Sequence, residues 1–217
     1  MPTLSLRASA AAGLVLLLGV ACGGQETGLP RDVVVFLGDS LIHDGAWQKA
    51  FPDVAVVNLG VKGDTVMDVA ARLDELNDPR LRVVKLFLLI GTNDARHRMP
   101  SRQLAGHYSL LLRLLREILP ETRIYLMSLP PCGAKHREIV LALNQRIREA
   151  AAFHGLTHID LYPEFVAADG SLREAYGIDG IHLSDAGYQR WVELIAPYVN
   201  GDAVEASHEG GASPGPL

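Results

Sequence analysis

The feature that most constrains this chain is an alternation of two residue patterns. Short runs dense in Val, Ile and Leu, "DVVVFLG", "VAVVNLG", "RVVKLFLLIG", "RIYLMSLP" and "LTHIDLY", read as strands buried on both faces. Between them lie "DTVMDVAARLDEL", "SRQLAGHYSLLLRLLREILP" and "KHREIVLALNQRIREAAAFHG", where apolar residues recur at steps of three and four. That period predicts amphipathic helices, the last stopping at Gly155 as a C-cap, with a final helix from about Ser184 to Val199. Repeated strand-helix-strand units imply an α/β fold with a five-stranded parallel sheet between two layers of helices. A three-layer, flavodoxin-like arrangement with strand order 2-1-3-4-5 follows as the expectation.

The chain has 217 residues, 48% hydrophobic and 21% charged, which suits one domain, placed at residues 31–200. Its net charge of -5 and scattered Lys and Arg argue against a nucleic-acid partner. At the N-terminus, Arg7 precedes an apolar stretch from Ala10 to Val20 and small residues leading to Cys22. Residues 1–21 therefore read as a secretory signal, too short for a membrane span, and the protein is expected to be exported. The ending "GVAC" resembles the lipobox of bacterial lipoproteins, which implies a lipid on Cys22 and a membrane anchor. Gly19 stands where that box usually has Leu, and an ordinary cleaved signal is the alternative. Residues 22–30 form a linker, and the Gly-, Pro- and Ser-rich residues 201–217 read as a disordered tail. With Cys22 lipidated, Cys132 is a lone thiol and no disulfide is expected.

Sites in open parallel sheets form at the carboxyl ends of the strands. The first predicted strand ends in Gly38-Asp39-Ser40, the second in Asn58-Leu59-Gly60 and the third in Gly91-Thr92-Asn93-Asp94. In the expected order these tips are neighbours. Ser40 offers a hydroxyl, while the N–H groups of Ser40 and Gly60 and the Asn93 amide could surround one oxygen as an oxyanion hole. A hydroxyl nucleophile needs a base. Of the eight histidines, His43, His97, His107, His136, His154, His158 and His208 have ordinary explanations in helices, strands, loops or the tail. His182 differs, because in "YGIDGIHLSDAG" Asp179 lies three residues ahead in a Gly-bracketed loop and can turn back to the imidazole. Asp179 and Ser184 could instead merely shape the entrance to the last helix.

Taken in order, Gly-Asp-Ser-Leu, Gly60, Gly-Thr-Asn-Asp and Asp-x-x-His resemble the blocks of the SGNH hydrolases, also called GDSL esterases and lipases. The likeness runs from about Asp32 to Tyr198. "VVNLGVKGDTVMDVAARLDEL" looks like the platelet-activating-factor acetylhydrolase-like branch. The resemblance implies a serine esterase in which Ser40 attacks, His182 is the base, Asp179 orients it, and Ser40, Gly60 and Asn93 hold the oxyanion. No cofactor is expected, and no His, Cys and carboxylate spacing suggests a metal. Asp39, Asp94 and Asp160 read as structural, and Asp64-Thr65 as the cap of the following helix. The substrate is expected to be a small ester with a short acyl group, such as acetyl on a carbohydrate or small lipid. A lysophospholipase or thioesterase-type hydrolase and a non-catalytic surface binding protein are the alternatives, while a flavin site lacks a phosphate-cradling first loop. Oligomeric state is left open.

Overall fold

The computed structural model describes residues 30–201. The predicted signal, Cys22, His208 and the tail beyond Gly201 lie outside the described residues. In chain order the elements are β1 (Arg31–Gly38), α1 (Ser40–His43), α2 (Trp47–Ala50), β2 (Val56–Gly60), α3 (Val66–Ala71), β3 (Leu81–Leu89), α4 (Thr92–Arg96), α5 (Ser101–Ile118), β4 (Arg123–Met127), α6 (Arg137–Phe153), β5 (Thr157–Ile159), α7 (Tyr162–Phe165) and α8 (Asp185–Asn200). The five strands pair in parallel in the order β2-β1-β3-β4-β5, as the alternation predicts. Gly38 pairs with Gly60 on one side and Leu89 on the other, so the three tips end side by side.

Each face of the sheet has its own packing partners. Phe36, Phe87 and Tyr125 stand in register on β1, β3 and β4, and their rings stack at centroid distances of 5.0 and 4.5 Å. Trp47 of α2 extends the stack over Phe36 at 4.4 Å, and Trp191 of α8 meets Trp47 edge-on at 5.0 Å. This ladder joins α2 and α8 to one face, and such ring pairs add to the gain from burial alone. On the other face α3, α5 and α6 lie side by side, burying the leucine stripe Leu104, Leu111, Leu112 and Leu115 of α5.

Local chemistry sets several element ends. Thr65 caps α3 through a reciprocal capping box with Asp68, while Asp64 pairs with Arg72 instead. The helix expected to continue to Leu76 ends at Ala71 and gives way to a tight turn over Leu73–Leu76. Ser184 accepts from the Gly187 N–H as the N-cap of α8. At the other end, the half-buried Lys85 of β3 donates from Nζ to the carbonyls of Tyr198, Val199 and Gly201, at 3.0, 2.9 and 2.5 Å. A cation there satisfies carbonyls that α8 itself cannot and opposes the negative end of its dipole. Replacing the ammonium by a methyl of similar reach, Lys85→Met, is expected to lower unfolding free energy by about 2 kcal/mol, as for hydrogen bonds to charged groups. Urea denaturation measures this, and an unchanged midpoint would refute the anchoring role.

Candidate active site

Ser40 is the first residue of α1, a helix of four residues that directly follows the tip of β1. So short a helix cannot stabilise itself, because nucleation fixes several dihedrals for a single hydrogen bond. It is held from outside. Asp39 caps it, accepting from the Leu41 N–H at 3.0 Å. Tyr188 of α8 donates to the Leu41 carbonyl at 2.9 Å, and Trp47 donates to the Ile42 carbonyl at 2.8 Å. From β2, the Asn58 amide nitrogen reaches the carbonyls of Ile42, His43 and Gly45 at 3.0, 3.2 and 3.3 Å. These supports come from the strand and the two helices on that face.

With α1 fixed, Ser40 Oγ lies 3.1 Å from His182 Nε2 across 142 residues of sequence. His182 Nδ1 lies 2.7 Å from Asp179 Oδ2. With the proton on Nδ1 facing the carboxylate, Nε2 is left to accept from the serine hydroxyl. Asp179 Oδ1 also accepts from the N–H groups of Ile181 and His182, at 3.0 and 2.7 Å. The Asp-x-x-His spacing thus lets one carboxylate both close the turn and orient the ring. The bond from the His182 side chain, followed by these backbone donors, holds the Asp179 carboxyl down to about 2. The carboxylate is therefore ionised throughout the neutral range.

Asn93, on α4 just past β3, is buried and donates one amide hydrogen to the Asp64 carbonyl at 2.9 Å. Arg96 Nη1 lies 3.4 Å from the Asn93 oxygen. Asp94 accepts from the Val66 N–H at 3.1 Å and so joins α4 to the start of α3. Arg72 spans the tips of β1 and β2, donating to the carbonyls of Gly38 and Leu59 at 3.2 and 2.9 Å while its Nε meets Asp64 at 2.7 Å.

Gly60 occupies the tip of β2, but its surroundings differ from those expected of an oxyanion donor. Its N–H donates to Asn58 Oδ1 at 2.9 Å, so that hydrogen is already committed. A Cβ at position 60 would come within 2.1 Å of the His43 nitrogen. The need for glycine there arises from the close passage of α1, not from the approach of a substrate. The supports Asn58, Arg72 and Tyr188 were not singled out from the sequence. Only Asn58 left a local signal, as an amide inside an apolar strand run.

The other residues are structural. Asp160, just beyond β5, accepts from Ser128 Oγ and Arg148, both at 2.8 Å. His43 is exposed and pairs with Asp44. Cys132 is buried, and burial pushes its thiol up to about 11, far from a reactive thiolate. Among the described residues no group of three or more His, Cys, Asp or Glu could hold a metal ion.

Asp39 is fully buried, and that burial, reinforced by the nearby charges of Asp64 and Asp94, raises its carboxyl to about 6. The folded state then holds this proton more tightly than the unfolded chain. Its contribution favours folding below the ordinary carboxylate range and is lost as pH rises through about 6. Asp39→Asn keeps an oxygen for the Leu41 N–H but does not titrate. Its stability relative to wild type should therefore increase between about pH 4 and about pH 7. Urea midpoints across that window test this, and a constant difference between the two proteins would refute it.

Comparison with known proteins is consistent with this geometry. A model of the GDSL-like lipase/acylhydrolase family matches residues 36–190. Platelet-activating factor acetylhydrolase IB subunit alpha1 of Bos taurus is 33% identical over 165 residues, covering 71% of this chain and 69% of its own. The lipase/acylhydrolase of Enterococcus faecalis superposes with a TM-score of 0.62 at 26% identity, over 78% of this chain and 95% of that one. A GDSL-like lipase from Bacteroides thetaiotaomicron, 21% identical, shares the fold with a TM-score of 0.67 over 78% and 88% of the two chains. A serine, a histidine and an aspartate in hydrogen-bonding sequence at the strand tips thus accompany a family match over most of the domain, and the chain belongs to the GDSL-like lipase/acylhydrolase family, a carboxylic ester hydrolase.

Proposed function

We propose that this hydrolase removes short acyl groups, acetyl foremost, from a small alcohol or carbohydrate through an acyl-serine intermediate. The observation that carries the reading is the relay from Ser40 through His182 to Asp179, at 3.1 and 2.7 Å. His182 Nε2 takes the hydroxyl proton as Ser40 Oγ bonds to the ester carbonyl carbon. The carbonyl oxygen gains the negative charge, and Asp179 steadies the imidazolium. Collapse of the tetrahedral intermediate breaks the bond to the alcohol, which takes the proton from His182. Water, deprotonated by His182 in turn, then releases the acyl group.

Ser40 N–H, in the first turn of α1, and the second amide hydrogen of Asn93 supply two oxyanion donors in this scheme. Because the Gly60 N–H is committed to Asn58, Gly63 is assigned as the third. It sits in an exposed turn at φ +88°, its N–H has no backbone acceptor among the described residues, and it precedes the Asp64 carbonyl that holds Asn93. The short acyl group is supported by the shallowness of the site. The side chains of His182 and Asp179 are 33% and 51% exposed, which leaves little wall for a long chain. The mammalian relatives are, by name, acetylhydrolases. We further propose that the chain is exported and held at a membrane by a lipid on Cys22. Cys22→Ser should shift it from the membrane to the soluble fraction, and unchanged partitioning would refute the anchor.

Ser40→Ala should abolish hydrolysis of p-nitrophenyl acetate and labelling by a fluorophosphonate, and wild-type rates in that variant would overturn the assignment. Asn93→Ala should raise the barrier by about 2.7–4 kcal/mol, on the order of a hundredfold or more in turnover. Across p-nitrophenyl esters from acetyl to palmitoyl, kcat/KM should be highest at acetyl. A maximum at palmitoyl would favour the lysophospholipase reading.

A further inference from the structure

Arg72, the first residue after α3, divides its guanidinium among partners on separate pieces of the site. Nη2 donates to the carbonyls of Gly38 and Leu59, at 3.2 and 2.9 Å, at the tips of β1 and β2. Nε donates to Asp64 Oδ2 at 2.7 Å, and Nη1 to Glu75 Oε2 at 3.1 Å. The Arg72 and Asp64 side chains are 15% and 11% exposed, so this pair is mostly out of water and weakly screened.

The segment enclosed by these bonds is the turn from Val61 to Asp64 that joins β2 to α3. It begins where the Val61 N–H donates to the same Gly38 carbonyl, at 3.0 Å, and closes where the Asp64 N–H donates to the Val61 carbonyl, at 3.3 Å. Arg72 thus holds the strand-tip carbonyls before the turn and the Asp64 carboxylate at its end. Two of the oxyanion donors assigned above depend on this turn. Gly63 is part of it, and the Asp64 carbonyl accepts from the buried Asn93 amide at 2.9 Å. The guanidinium fixes the Asp64 side chain while the Asp64 backbone fixes the amide. A planar fork of five N–H groups can serve two carbonyls and a carboxylate together, whereas a lysine ammonium concentrates its donors on one atom.

We propose that Arg72 is the positioning residue of the oxyanion hole: it fixes the turn from Val61 to Asp64 so that the Gly63 N–H and the Asn93 amide converge on the carbonyl oxygen of the ester. The inference rests on the oxyanion assignment above. Arg72 acts on the reacting oxygen through Asp64 and not by contact. Its removal falls on the transition state, because the charge that these donors stabilise develops only there.

The test is a double-mutant cycle on hydrolysis of p-nitrophenyl acetate by wild type, Arg72→Lys, Asn93→Ala and the double variant. Rates are expressed per serine labelled at completion by a fluorophosphonate, so that chains that fail to fold drop out. Arg72→Lys should lower kcat and kcat/KM by the same factor, on the order of tenfold, as for an interaction made only in the transition state. With Asn93 already replaced, the same substitution should cost markedly less, because residues that act as one unit are not additive. Arg72→Gln, which also removes the charge, should repeat the pattern. An equal factor in both backgrounds, a rise in KM at unchanged kcat, or full activity per labelled site in Arg72→Lys overturns the positioning role and leaves the esterase reading standing. Wild-type turnover in Asn93→Ala overturns the oxyanion assignment and the role of Arg72 together.

Discussion

The chemistry depends on holding a four-residue helix still. Ser40 sits at the start of α1, whose own hydrogen bonds cannot maintain it, and the Ser40–His182 contact of 3.1 Å survives only if α1 stays in register with the start of α8. Asn58 ties α1 to the neighbouring strand tip, and Tyr188 ties it to the helix that follows His182. The same residues that make α1 a helix thereby set the distance between nucleophile and base. Asn58 commits the Gly60 N–H as part of that arrangement, which gives the two glycines of "NLGVKG" different tasks. Gly60 lets α1 pass close, and Gly63 shapes an open turn beside Asn93.

Beneath this cradle the sheet is stiffened by aromatic stacking. Phe36 lies two residues before the tip of β1, and through Trp47 and Trp191 its ring is connected to both helices that frame the site. Charge is arranged less economically. Asp39, Asp64 and Asp94 are buried behind the serine turn, with Arg72 bonded to Asp64 and to the strand-tip carbonyls. Burial first, and the neighbouring carboxylates second, raise the Asp39 carboxyl, and stability is conceded there to fix the turn that carries Ser40.

Much of the fold was legible because its signals are periodic. Val-rich runs and helical stripes persist over many residues, so the five strands, the long helices α5, α6 and α8 and the strand order all follow from pattern. The short helices α1, α2, α4 and α7 did not, since four or five residues carry no period. The helix after β2 shows the same limit. Its start was written in the Thr65 and Asp68 capping box, whereas it ends early at Ala71, where Arg72 reaches Asp64 and the carbonyls of Gly38 and Leu59.

The sequence by itself determined which side chains could do the chemistry. A hydroxyl after one strand, an amide after another and an Asp-x-x-His turn before the last helix are local patterns, and each was readable because its residues are close in the chain. Tertiary structure decided what those groups are free to do. Whether a glycine N–H is available or spent depends on the orientation of an Asn side chain and on a helix passing within van der Waals range, and neither is encoded in spacing. Sequence separation sets chemical identity, but hydrogen bonds and charges act through space.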